Sequence, residues 1–298
     1  MRLALLAAAA LAASPAPSPA TAPPRSPELR VTAFPRTPRQ GGIVAIMVRS
    51  RRPLPDLVLV NGDLRTPLER EADGTVFRGL CGLDLAEPTG EHRVSFETSD
   101  GAASLEWSFR LAPGRFRLQR LSVDPRYVEV PEEERERVKA DQARVAEAYR
   151  QGSAVRLWTS FARPLEARSS GNFGARRVYN EEVQSRHAGL DLAAAEGTPV
   201  AAAGDGRVIL AGDLYLSGGT VLLDHGAGLF TQYFHLSGID VKEGDAVVKG
   251  ARLGASGHTG RVTGPHLHWG ARLRGARVNP GDLLKLPAWP LPGADAVP

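Results

Sequence analysis

Gly264-Pro265-His266-Leu267-His268-Trp269-Gly270 reads as a half-buried strand. Successive side chains of a strand point to opposite faces, so His266 and His268 share one face while Leu267 and Trp269 share the other. Core lies behind and chemistry in front. Upstream, Ser185-Arg186-His187-Ala188-Gly189-Leu190-Asp191-Leu192 sets an imidazole and a carboxylate four residues apart, an offset that keeps both on one face of a strand or of a helix. Between and around these segments lie apolar runs at 206–211, 220–224 and 246–249, separated by Gly-rich turns, with no long helical period. Residues 157–286 are therefore expected to form an antiparallel β domain.

The histidines are concentrated there. Of seven (His92, His187, His225, His235, His258, His266 and His268), six fall between positions 187 and 268, where even scatter would place about two. Three N and O donors with a fourth position left to water make a catalytic zinc site, whereas a structural site is closed by four protein ligands, most often including cysteine. Cys81 is the only cysteine, so no cysteine set and no intrachain disulfide can form, and a buried packing role is expected for it. His-x-x-x-Asp and His-x-His each arise by chance, but the two together within one domain are far more specific.

The segments from His187 to Asp191, Tyr233-Phe234-His235-Leu236-Ser237, and Gly264 to Trp269 resemble the lysostaphin/LytM-type zinc endopeptidases. Phe173-Gly174, Gly197-Thr198-Pro199-Val200 and residues 241–250 with their Gly-Asp turn extend the resemblance over roughly residues 160–280. It implies a barrel-sandwich β fold and one Zn²⁺ held by His187, Asp191 and His268, with His235 and His266 beside the metal as acid/base groups. It implies hydrolysis of peptide cross-links in bacterial peptidoglycan, with stem peptides or cross-bridges as the partner, by attack of zinc-activated water assisted by the two histidines. A D-alanine cross-link is preferred over a glycine bridge as the bond cut, and either histidine can be the base. Arg176, Arg177, Tyr179 and Asn180, and the loop 213–219, are expected to line the groove. His225, His258 and His92 are read as turn, surface or structural residues. An inactive regulator of another wall hydrolase is the alternative, but all five key positions are kept. Neither a Glu-x-x-Trp-His segment nor a His-Glu-x-x-His helix is present, which excludes two other zinc-peptidase classes.

Outside the resemblance, Arg2, the apolar run 3–13 and the small residues and prolines that follow predict a secretory signal over residues 1–22, cleaved between Ala12 and Ala22. Export to the periplasm or beyond, in contact with the cell wall, is expected. No later run approaches the roughly 20 apolar residues of a membrane span, so no stable membrane anchor is expected. Residues 29–112 read as an immunoglobulin-like β-sandwich, from short apolar runs at 43–48, 57–60 and 92–96 and the hairpin signals Asn61-Gly62 and Asp73-Gly74. The cysteine pair and core tryptophan of true immunoglobulin domains are absent.

Residues 113–156 read as a linker with one α-helix at about 131–150. Pro131 and three glutamates open that helix, Arg150 closes it, and a stripe of Val138, Val145 and Tyr149 is interrupted by Gln142. A Pro-rich tail, 287–298, is expected to be loose. The fold class is thus all-β with one linking helix. A net charge of +4 and a pI near 9.5 suit an anionic partner. With nine Phe, five Tyr and four Trp and no clustered basic stripe, nucleic acid is not expected as a partner. The sequence carries no signal for an oligomeric state.

Overall fold

Alternation of apolar and polar residues builds the front half. In the computed structural model, which describes residues 28–121, 130–179 and 182–289, strand Ile43–Ser50 buries Val44, Ile46 and Val48 on one face. It pairs antiparallel with Leu29–Phe34 on one side and Val76–Gly82 on the other, and Glu69–Arg70 completes this four-stranded sheet. The second sheet runs Leu64–Pro67, Val58–Asn61, Gly90–Glu97, Ser104–Leu111. The two close over Leu57, Leu59, Phe77, Leu83 and Phe96, each at most 2% exposed, so this half is a sandwich of two antiparallel sheets. Cys81 packs in this core, where burial pushes its thiol pKa up to about 12.

The linking helix runs Arg135–Arg150, after a 3₁₀ turn at Glu132–Glu134. Its inward stripe passes through Val138 and Ala148, which are buried, and Asp141 and Val145, which are half-buried, and Gln142 faces solvent. The polar residue in the stripe is Asp141, whose carboxylate accepts the Tyr215 N–H at 2.7 Å and so satisfies its burial. Before the helix, Leu118–Leu121 forms a strand parallel to Arg176–Tyr179, itself paired with Glu182–Arg186. Nothing in the sequence reading foresees this strand, which ties the linker to the hairpin leading into His187.

The back half is one antiparallel system. Its main path runs Ser169–Gly171, Gly189–Ala193, His266–Leu273, Leu229–Ile239, Gly218–Asp224, Gly206–Leu214, Ala246–Val247, and Arg252–Ser256 branches off Leu229–Ile239 and carries Pro199–Ala201 on its other side. Trp158, Leu192, Tyr233, Leu267 and Trp269 fill the core between them. A one-turn helix, Pro280–Leu283, capped by Asn279, is a second helix beyond the single one expected. The start of the tail is not loose. Trp289 is buried, stacks edge-on against Trp158 and accepts a hydrogen bond from Arg156. Residues 1–22, where a secretory signal is expected, residues 122–129 and residues 290–298 lie outside the described residues, and no helix among those described is long and apolar enough to cross a membrane.

The two halves are joined by packing and polar contacts. Ile43 and Leu80 of the sandwich belong to the back-half core. Asp84 accepts from Arg277 N, Nε and Nη2 at 2.8, 3.1 and 2.7 Å, and Asn279 N donates to Gly41 O. Burial opposes ionisation of Asp84, but the Arg277 and Ala86 hydrogen bonds outweigh it and lower its pKa from 3.8 to about 2. A depressed carboxylate pKa stabilises the fold above its unfolded value and loses that contribution as pH falls through its folded value. Thermal unfolding should therefore show Asp84→Asn less stable than the parent chain at pH 6, with the difference shrinking between about pH 4 and pH 2. A difference constant with pH would show that the ion pair contributes nothing to holding the halves together.

Candidate metal centre

Register brings the donors together. On neighbouring strands Asp191 lies opposite His268, and Ala193 opposite His266. Leu267 and Trp269 are at most 1% exposed on the far face, so the alternation read from the sequence is realised with the imidazoles in front. His187 sits in neither strand. It occupies the two-residue break between Glu182–Arg186 and Gly189–Ala193, held by its N–H to Ala175 O and its carbonyl to Gly174 N.

The resulting triangle is tight. His187 Nε2 is 2.9 Å from Asp191 Oδ1, and His268 Nδ1 is 3.0 Å from both. His187 Nδ1 donates to Asn172 O at 3.0 Å, which fixes the tautomer and leaves Nε2 with a lone pair. One proton on His268 Nδ1 can serve only one neighbour, so two electron-pair donors still face each other across a buried gap. Such a set suits one shared cation, and the three donor atoms are close enough to hold it. Asp191 Oδ2 is occupied separately by Arg177 Nη2 at 2.5 Å, which leaves Oδ1 for the centre. Burial disfavours the Asp191 carboxylate, and the adjoining His187 and His268 imidazoles favour it and hold its pKa below the usual range. Burial also lowers the His268 pKa, in favour of the neutral, ligating form.

Two further imidazoles flank the triangle. His266 Nδ1 donates to Gly264 O at 2.8 Å and His235 Nδ1 to Thr259 O at 3.0 Å, so each presents Nε2 as an acceptor. His266 Nε2 lies 3.6 Å from Asp191 Oδ1, and the His235 and His266 rings are 4.9 Å apart. His235 is 8% exposed, and burial, then the neighbouring His268 and His266, lower its pKa to about 3. It is placed by a bulge. Strand Leu229–Ile239 pairs with the His266–Leu273 strand up to Phe234, then leaves it for Arg252–Ser256, and three residue steps on it oppose two on the Gly218–Asp224 strand. His235 takes up the turn with φ 67°, a left-handed conformation costing about 1–3 kcal/mol for a non-glycine residue.

The other predicted positions lie elsewhere. His225 is fully buried between Asp205 O and Thr231 Oγ1, with its pKa lowered to about 4 by burial, and has a structural role. His258 pairs with Glu196 at the surface, and His92 stacks on Phe109 in the sandwich. Arg177 contacts Asp191 rather than standing free in the groove, and Arg176 is exposed. Asn180 and the Tyr179 side chain lie outside the described residues. In the loop 213–219, Ser217 O anchors the His235 N–H.

The sequence reading did not single out Asn172, Thr259, Gly171 or Phe234. Phe234 stacks on His268 at 5.2 Å between ring centroids. A Cβ on Gly171 would lie 2.3 Å from Asp191 Oδ2, and one on Gly189 2.5 Å from His268 Nε2. The one available signal was Gly189, inside the His-x-x-x-Asp segment.

Residues 185–280 match the profile of peptidase family M23. Over 113 residues the chain is 45% identical to peptidoglycan DD-endopeptidase ShyA of Vibrio cholerae, covering 38% of this chain and 26% of that protein. Over 128 residues it is 41% identical to the DD-carboxypeptidase/endopeptidase Mpg of Neisseria meningitidis, covering 43% and 29%. The chain thus spans less than a third of the length of these curated relatives. A solved peptidase M23 structure from Pseudomonas aeruginosa is 30% identical and aligns over 83% of this chain and 95% of its own, with a TM-score of 0.65. That coverage takes in the front half as well as the metal centre.

Gly171→Ala is expected to displace the Asp191 carboxylate and weaken Co²⁺ or Zn²⁺ binding by about 10- to 100-fold, while the far-ultraviolet dichroism stays unchanged. Full-strength metal binding in that variant would show that the glycine cradle does not hold Asp191 in place.

Proposed function

Because the chain belongs to peptidase family M23, we propose that it is a zinc-dependent endopeptidase that hydrolyses peptide cross-links of bacterial peptidoglycan after export from the cytoplasm. The observation that carries this reading is the pair of Nε2 acceptors, on His235 and His266, beside a three-donor triangle whose atoms could hold one cation. His187 Nε2, Asp191 Oδ1 and His268 Nδ1 would hold one Zn²⁺, which when bound supplies Lewis acidity to a carbonyl and acidifies water toward a pKa of roughly 7.

The chain's own groups then have proton work to do. His266, the more exposed of the flanking pair, takes the proton from the attacking water through Nε2. His266 then returns that proton to the leaving amine, while His235, whose pKa is lowered to about 3, stays neutral and offers Nε2 as an acceptor for the water's other hydrogen. Arg177 holds Asp191 Oδ2 and so keeps the carboxylate oriented. ShyA is by name a peptidoglycan DD-endopeptidase and Mpg a DD-carboxypeptidase/endopeptidase, which supports a D-alanine cross-link over a glycine bridge. Residues 1–22, read as a secretory signal, support export to the compartment where peptidoglycan lies.

His268→Ala should lose both zinc and cleavage of purified sacculi, whereas His266→Ala should keep one zinc per chain and lose about 10²- to 10⁴-fold in turnover. Metal analysis beside mass analysis of released muropeptides reads both. Equal metal loss in the two variants would overturn the assignment of roles, and intact zinc without any released peptide would overturn the peptidase reading.

A further inference from the structure

The linker strand Leu118–Leu121 is an edge strand, paired on one side alone, with Arg176–Tyr179. Leu118 is 48% exposed, and Arg117 and Arg120 are exposed too, so of residues 117–120 the one turned inward is the amide Gln119. A half-buried amide adds little as apolar packing and calls for a polar partner. The parallel register supplies one, since it sets Gln119 opposite Arg177.

Arg177 uses two edges of its guanidinium. Its Nε donates to Gln119 Oε1 at 3.4 Å, and its Nη2 donates to Asp191 Oδ2 at 2.5 Å. The group is planar, so an acceptor that holds the Nε edge also sets the direction in which Nη2 points. An arginine side chain has about 2 kcal/mol of rotamer freedom to lose when it is held in one geometry, and the contact with Gln119 restricts it before any metal arrives. A line of side chains thus runs from Gln119 through Arg177 to Asp191. It begins outside residues 185–280, the stretch that matches the peptidase family.

The strand's place is set from the front half. Phe116, two residues before it, packs edge-on against Phe173 at 6.2 Å between ring centroids, and the Arg186 guanidinium lies over the Phe116 ring at 5.6 Å. Phe173 in turn reaches the sandwich, where a Cβ on Gly41 would lie 2.3 Å from its ring. With φ 73°, Gly41 is where the sandwich backbone turns to admit that ring. Sandwich, linker and the hairpin that carries Arg177 therefore meet at one aromatic contact, and Gln119 follows three residues later.

We propose that Gln119 is a positioning residue of the metal centre, which through Arg177 holds Asp191 in its ligating geometry, so that metal affinity depends on the linker strand staying paired. Partners one step behind a metal ligand orient it and tune its affinity, and Gln119 stands one step further out. This role rests on the zinc reading of His187, Asp191 and His268, but it concerns affinity and not hydrolysis. Lifting the linker strand away would loosen the metal without touching a ligand.

Zn²⁺ affinity of full-chain variants, measured by competition with a chelator, and the visible absorption of their Co²⁺ forms test this. Gln119→Leu, which removes the acceptor, should weaken Zn²⁺ about three- to tenfold and alter the Co²⁺ spectrum. Gln119→Glu, which keeps an acceptor, should bind within about twofold of the parent chain. Leu118→Ala, on the exposed face of the same strand, should change neither readout. In an Arg177→Lys background, where the planar fork is gone, Gln119→Leu should have no further effect. Unchanged affinity in Gln119→Leu, an equal loss in Leu118→Ala or in Gln119→Glu, or losses that add to that of Arg177→Lys would each overturn the proposal. A parent chain that binds zinc yet releases no peptide from sacculi would overturn the peptidase reading and leave the role of Gln119 intact, whereas a parent chain that binds no metal would overturn both.

Discussion

Two electron-pair donors, His187 Nε2 and Asp191 Oδ1, are held 2.9 Å apart inside the protein, and much of the back half is arranged to keep them there. Left alone they would repel and rehydrate. Each is fixed from behind, the imidazole by Asn172 O and the carboxylate by Arg177, so neither can turn away. Gly171 and Gly189 leave room that any side chain would fill. The Asp191–His268 register then supplies the third donor from the neighbouring strand. The cost of desolvating these groups is what makes the centre receptive to a cation.

The same strand system solves a second problem, which is to set acid/base groups beside the centre without adding them to it. His266 is two residues from His268 on the same face, yet its Nδ1–H is turned to Gly264 O. His235 comes from a strand that breaks away at that point, and its left-handed backbone is the local consequence of the bulge. The linking helix takes part from outside. Asp141 accepts from Tyr215 N in the loop whose Ser217 carbonyl holds the His235 N–H. The sandwich is held to the His266–Leu273 hairpin through Asp84 and Arg277, so it is a fixed neighbour of the centre's scaffold.

What was legible in the sequence was local and periodic. Leu267 and Trp269 behind, with His266 and His268 in front, follow from a two-residue period, and the sandwich follows from short alternating runs between turns. What was not legible depends on distant backbone. Arg177 reaches Asp191 because Arg176–Tyr179 is clamped between Glu182–Arg186 and the linker strand Leu118–Leu121, a pairing with no periodic signature. Asp141 sits in the helix stripe because of a single backbone N–H 74 residues away. His187 reads equally as part of a strand or of a helix, but its conformation is set by contacts with 174 and 175. Thr259 and Asn172 matter through their carbonyls, which residue type does not reveal.

X-ray absorption at the zinc edge of the reconstituted full chain tests the central claim most directly, because imidazole rings leave a countable multiple-scattering signature. The account predicts one zinc with two imidazoles, further oxygen ligands and no sulfur, unchanged in His266→Ala and His235→Ala. Three or more imidazoles, or loss of one in either of those variants, would contradict it.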